Sequence, residues 1–223
     1  MERDLRIPGY ITSYVRRFWQ ASEDHRGTPT SPGRVVTLIE RTFWSTLGET
    51  PATPASQVYG SAYRIPRSHV GEVQEYLDMR EINGYSIQYT TFFPTATSRH
   101  RPIEKCLVYI GLPSNPQFLG RQDPQDVAEV IARSVGPSGA NAEYLFMLEY
   151  ALRELGRGSE DEHVGDLAER VRSLMMDGNG KGIQGGNGKD EESEVKRRAV
   201  ENEMEGVRSG EGGEPGEETE KIL

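Results

Sequence analysis

Apolar and β-branched residues follow two rhythms along the chain. The run GYITSYVRRFW at 9–19 and the run RVVTLI at 34–39 carry aromatic and β-branched side chains between Gly/Pro-punctuated segments, which predicts strands. Residues 58–65, 85–93 and 103–112 read the same way, the last ending where Pro113 follows. The stretch 41–57, with Pro51, Pro54 and several Ser and Thr, reads as a surface insertion between two strands.

The other rhythm is helical. Val70, Val73 and Leu77 share one face of a predicted helix over 68–80, which Asn83-Gly84 stops. Asp123-Pro124 opens a second, with Val127, Val130 and Ile131 facing inward. Tyr144, Leu145, Leu148, Ala151, Leu152 and Leu155 stripe a third. The last begins at Ser159-x-x-Glu162, a capping box, and carries Val164, Leu167, Ala168, Val171, Leu174 and Met175. Strands come mainly first and helices mainly last, so an α+β fold with a mixed or antiparallel sheet or barrel is expected over a doubly wound one.

Composition divides the chain. Residues 177–223 hold 13 Asp+Glu, 7 Lys+Arg and 11 Gly with no Phe, Tyr, Trp or Cys, a solvated acidic tail that cannot build a core and is expected to be disordered. Residues 1–176 keep all 18 aromatics and a net charge of −3, one near-neutral globular domain. That balance disfavours broad binding to nucleic acid or anionic lipid. No apolar stretch approaches a membrane span, the N-terminus lacks the apolar region of a secretory signal, and the single Cys106 cannot form an intrachain disulfide, so a cytosolic setting is expected.

Most motif matches fail on context. Gly180-x-Gly182-x-x-Gly185 fits the dinucleotide pattern by letter but lies in the tail with no strand before it, and Gly188-Lys189 lacks the first Gly and the Ser/Thr of a phosphate loop. Gly136-Pro137-Ser138-Gly139-Ala140 lacks the final Gly of a nucleophile elbow and reads as a loop between helices. The histidines at 25, 69, 100 and 163 never pair at metal-ligand spacing, so no metal is expected. Arg16-Arg17-Phe18-Trp19 interleaves cations and aromatics as single-strand binders do, but sheet packing accounts for it better. Glu81 remains, at the junction of a predicted helix and strand, where rigid elements hold reactive side chains; a solvated helix-end carboxylate would look the same.

Longer islands carry a family resemblance. The run from Gly9-Tyr10 through Tyr14-x-Arg16-Arg17-Phe18-Trp19-Gln20, Asp24-His25-Arg26-Gly27-Thr28-Pro29 and Pro32-Gly33-Arg34-Val35-Val36-Thr37-Leu38 resembles the ChaC-like family of glutathione-specific γ-glutamylcyclotransferases. So do Tyr76-Leu77-Asp78-x-Arg80-Glu81-x-x-Gly84-Tyr85, Asn115-Pro116, Gly136-Pro137-Ser138-Gly139, Glu143-Tyr144-Leu145-Phe146 and Asp161-Glu162-His163, in family order. The resemblance implies a compact mixed α/β fold around a small barrel, no cofactor, and glutathione as substrate. In the implied reaction the α-amine of the γ-glutamyl group attacks its own γ-carbonyl, giving 5-oxoproline and Cys-Gly.

The family's catalytic glutamate falls on Glu81, where a carboxylate would take the amine's proton and return it to the leaving nitrogen. Glu72 is a second carboxylate candidate, although nine residues of continuous helix set it about 13.5 Å away on the opposite face. Tyr144 offers a hydroxyl to the substrate or, equally, a ring to the core. Arg34 and Tyr85 are motif positions that packing would also explain. Family members open with a buried strand ending in a Tyr-Gly-Ser-Leu loop; here Met1 stands just before Arg6-x-Pro8-Gly9-Tyr10, so an N-terminally truncated domain lacking that strand is expected. Tyr59-Gly60-Ser61-Ala62 repeats part of the motif within a later strand, as a decoy. The alternative function is a noncatalytic ChaC-like interaction protein. A monomer is the default.

Overall fold

The computed structural model describes residues 5–49, 57–73, 75 and 85–179. Glu81, Leu77, Asn83-Gly84, Pro51, Pro54 and the glycine motifs of residues 180–189 lie outside these residues.

The segment read as one strand over 9–19 is two. Strand β1 spans Leu5–Thr12 and β2 spans Tyr14–Ser22, separated by Ser13 at φ 70°, a left-handed conformation uncommon for a side chain with a Cβ. That single residue turns the chain out of one sheet and into another. Strand β3, Gly33–Glu40, pairs antiparallel with β2 from Tyr14↔Glu40 to Ser22↔Gly33, with a bulge between Arg17 and Gln20. The predicted insertion begins with a short helix α1, Arg41–Trp44, and a 3-10 turn at Ser45–Leu47 that buries none of its residues.

Strand β4, Gln57–Arg64, pairs along the whole length of β1, so Tyr59-Gly60-Ser61-Ala62 is strand and not a substrate loop. Strands β5, Tyr85–Pro94, and β6, Ile103–Gly111, complete an antiparallel sheet of order β4-β1-β5-β6. Gly9 lets β1 and β5 close up: a Cβ there would stand 2.3 Å from the Phe93 carbonyl oxygen and 2.5 Å from the Phe92 ring. After β6 the chain lies along β2, where Ala21 donates to the Gln117 carbonyl and Leu119 to the Trp19 carbonyl, both at 2.8 Å.

Of the helix expected over 68–80, the described part holds a 3-10 turn, Arg67–His69, and helical residues at 70–73 and 75, with Val70 exposed rather than facing a core. Helix α2, Pro124–Arg133, has the expected start: Asp123 accepts the Gln125 N–H at 2.8 Å and Pro124 sits in the first turn. Its buried residues are Val127, Ala128 and Ile131; Val130 is only half-buried, because Ala128 occupies the inward position. Residues 136–140, read as a loop, belong to a hairpin of β7, Val135–Gly136, and β8, Gly139–Ala140.

Helices α3, Asn141–Glu154, and α4, Glu162–Asn179, follow. The stripe of α4 is buried through Val171 and Leu174 still packs against the core, but Met175 is 47% exposed, so the apolar face ends one residue earlier than expected. Two apolar clusters result. One joins Phe18 of β2 to α2, α3 and α4, with Leu145, Leu148 and Leu167 fully buried. The other lines the four-stranded sheet with Ile7, Ile11, Phe92, Val108 and Ile110, and takes in Tyr14 of β2 and Leu38 of β3. Each fully buried aliphatic side chain contributes about 1.5–3 kcal/mol, so the clusters dominate the stabilisation.

Candidate active site

Tyr144 lies one turn inside α3 and is 6% exposed. The Phe18 ring meets it edge-on at 5.8 Å, and the Arg26 guanidinium lies 5.5 Å from its ring centre. Arg26 is itself buried; its N–H donates to the Ser22 hydroxyl at 3.0 Å and its Nη1 to the Ala140 carbonyl at 3.3 Å. The end of β2 is thereby tied to the start of the helix that carries Tyr144.

A second buried arginine stands beside this pair. Arg16 donates through Nη1 to Asp161 Oδ2 at 3.4 Å and through Nη2 to the Tyr59 carbonyl at 2.5 Å. Burial lowers its pKa, opposed by the charges of Asp161 and Tyr144, and arginine is basic enough to remain a cation. Arg17, the next residue, points the other way: its Nε donates to Glu49 at 2.9 Å and its guanidinium lies 5.8 Å from the Trp19 ring and 5.6 Å from that of Trp44. Arg16, Arg17, Phe18 and Trp19 are all buried, so they form packing within the protein and not an exposed stacking platform.

The Asp161-Glu162-His163 run closes the site. Asp161 Oδ1 accepts the His163 and Val164 N–H groups at 3.1 and 3.2 Å, so Asp161 caps α4. The predicted capping box is therefore displaced: Ser159 instead donates to the Leu152 carbonyl and, at 2.5 Å, to the Gly156 carbonyl, closing the end of α3. His163 Nε2 accepts the Phe18 N–H at 3.1 Å, which puts the ring proton on Nδ1. Burial, with the charges of Arg17 and Arg16, lowers its pKa to about 3. It is a neutral acceptor at physiological pH, not a proton carrier.

The other expected site residues scatter. The Glu72 side chain is 80% exposed and meets His69 Nδ1 at 3.2 Å, within its own turn. Arg34 donates through Nε to Gln122 at 2.9 Å and through Nη1 to the Gly33 carbonyl at 3.0 Å; burial, then Arg133, lowers its pKa. Tyr85 begins β5 opposite Gly111. Glu81 lies outside the described residues. Ser138 meets His25 Nδ1 at 3.1 Å in the β7–β8 turn, and the Asp24 and His25 side chains approach to 4.0 Å where the chain bends. Among the described residues no three His, Cys, Asp or Glu side chains gather as metal ligands, and no helix is long and apolar enough to cross a membrane.

Sequence reading missed Arg16, Arg26 and the Asp161 pairing because their partners stand 43 to 145 positions away, beyond any periodicity. Two buried guanidiniums, one of them neutralised by Asp161, share one junction with a phenol, where each polar contact is stronger than it would be in water.

A curled antiparallel sheet packed on the β2–β3 ladder, with three helices on the ladder's other side, is an α+β half-barrel of the γ-glutamylcyclotransferase type. The ChaC-like protein family model matches residues 2–174, and the chain belongs to that family. The glutathione-specific gamma-glutamylcyclotransferase of Schizosaccharomyces pombe is 42% identical over 174 residues, covering 78% of this chain and 86% of its own. The human glutathione-specific gamma-glutamylcyclotransferase 1 is 33% identical over 174 residues, covering 77% and 72%. A crystal structure of the yeast γ-glutamyl cyclotransferase specific to glutathione superimposes with a TM-score of 0.65 at 35% identity, covering 76% of this chain and 88% of that one.

Proposed function

We propose that this chain is a glutathione-specific γ-glutamylcyclotransferase. The observation that carries the reading is the ChaC-like family match over residues 2–174, together with similarity to relatives that bear this activity as their name, at 42% identity in one of them. Glu81 takes a proton from the α-ammonium of the γ-glutamyl group. The freed amine attacks the γ-carbonyl, a C–N bond forms, and the γ-amide C–N bond breaks as Glu81 returns the proton to the leaving nitrogen. The products are 5-oxoproline and Cys-Gly, and no water is consumed. Holding the glutamyl chain folded supplies much of the rate enhancement, since amine and carbonyl belong to one molecule.

Tyr144, between Phe18 and Arg26, is the group we assign to the substrate's carboxylate or carbonyl oxygen. Glu72 is kept as the second carboxylate only for its chemistry and its place nine residues before Glu81; with its exposure and its His69 partner, Glu72→Gln is expected to retain more activity than Glu81→Gln. On this reading the chemistry belongs to residues 1–176, acts in the cytosol on one chain, and makes no use of the acidic residues that follow.

The test is release of 5-oxoproline and Cys-Gly from glutathione by residues 1–223, beside Glu81→Gln, with folding checked by circular dichroism. Release by the unaltered chain that falls by at least about 100-fold in Glu81→Gln is expected for loss of a general base. A folded chain that releases neither product would leave the noncatalytic interaction protein as the better account.

A further inference from the structure

Asn141 opens α3 and is wholly buried. Its side-chain amide is used twice on one residue. Oδ1 accepts the Arg34 N–H at 2.6 Å and Nδ2 donates to the Arg34 carbonyl at 2.7 Å. These are the two bonds a neighbouring strand would make, so the amide substitutes for a strand at the outer edge of β3. The fit is close enough to require glycine next door: a Cβ on Gly33 would stand 2.7 Å from Asn141 Oδ1 and 2.3 Å from the Arg26 carbonyl oxygen.

The same residue fixes the start of its own helix. The Asn141 N–H donates to the Ser134 carbonyl at 3.0 Å, and the preceding carbonyl, of Ala140, takes the Arg26 guanidinium. Tyr144 follows three positions later, about 300° around and about 4.5 Å along the helix, on a neighbouring face. The Tyr144 ring thus stands on a helical turn whose first residue is bolted to β3, and Arg26 touches both ends of that turn.

We propose that Asn141 is a positioning residue for the cyclotransferase reaction: through its two hydrogen bonds to the Arg34 backbone it sets where Tyr144 meets the substrate. The inference rests on the γ-glutamylcyclotransferase reading and on Tyr144 as a substrate contact. It separates a structural amide from a functional one, because an amide needed only for folding would change how much enzyme is folded and not how the folded enzyme treats glutathione.

The experiment is a double-mutant cycle on kcat/KM for glutathione, per folded molecule, with the full chain, Asn141→Ala, Tyr144→Phe and the double variant. Asn141→Ala is expected to lose at least about tenfold, since a misplacement near 1 Å is that costly. In the Tyr144→Phe background the loss is expected to shrink below about threefold, because the two residues act through one contact. Losses that multiply independently, or Asn141→Ala activity within about twofold of the unaltered chain, would overturn the proposal.

Asn141→Asp guards against an alanine variant that does not fold. As a carboxylate it accepts the Arg34 N–H but repels the Arg34 carbonyl, so it removes one of the two bonds without leaving a cavity. Its kcat/KM per folded molecule is expected to fall at least about tenfold with Tyr144 in place and less than about threefold in the Tyr144→Phe background, and equal losses in the two backgrounds would count against the proposal. An unaltered chain that makes no 5-oxoproline overturns the function and this inference together, whereas an active chain with an indifferent Asn141 overturns only the inference.

Discussion

His163 is the most informative single residue for separating structure from chemistry. A histidine beside the buried arginines invites a proton-transfer role, but its Nε2 already accepts the Phe18 N–H and its pKa is lowered to about 3 by burial and two arginines. The unfolded chain takes up a proton near pH 6.5 while the folded chain refuses it until about pH 3, so stability is complete above about pH 6.5 and declines as pH falls through that window. The decline is at most about 1.4 kcal/mol per pH unit. His163→Asn offers an amide oxygen to Phe18 without titrating. Its urea midpoint is expected to vary less between about pH 7 and about pH 4 than that of the unaltered chain. An equal slope in both proteins would mean that other groups carry the acid sensitivity. In sequence, His163 was visible only as part of a family signature. The reason is distance, since its partner stands 145 positions away and no spacing rule reaches that far.

Elements were easier to read than their ends. Strands and helices with strong periodicity appear where expected, including the Asp123 start of α2, because local burial and capping settle them. The errors fall where a tertiary partner competes with a local rule. Ser159 and Glu162 have capping-box spacing, yet Ser159 is drawn to the carbonyls of α3 and Asp161 takes the cap, because that position also pairs with Arg16. Asp161 thus does two jobs that substitution can separate. Asp161→Asn keeps a capping oxygen and loses the charge; Asp161→Ala loses both. The asparagine variant is expected to cost about 1–3 kcal/mol, for the carboxylate charge lost from beside the buried Arg16 guanidinium. The alanine variant should cost about 1 kcal/mol more, for the cap. Equal losses in urea denaturation would show that the cap contributes nothing beyond the ion pair.

At the scale of the molecule, the α+β class followed from the order of elements, and the barrel from the resemblance, but neither contained the step at Ser13. One left-handed residue there sends β1 into the four-stranded sheet and β2 into a separate ladder, and periodicity carries no sign of φ. The step has a mechanical consequence. β2 contributes Tyr14 to the sheet cluster and Phe18 to the helical cluster, and every one of its nine residues is buried. A strand shared so completely cannot leave one cluster without exposing the other, so the two should unfold together despite their separate linings. Leu148→Ala, in the helical cluster, and Ile110→Ala, in the sheet cluster, are each expected to cost about 2–5 kcal/mol. Each should lower the midpoint of one common transition, with far-ultraviolet circular dichroism and tryptophan fluorescence superimposing. Trp19, 1% exposed on β2, places a reporter on the shared strand itself. Were Ile110→Ala to shift the fluorescence transition while the helical signal kept its midpoint, the clusters would be independent folding units and β2 a bystander to both.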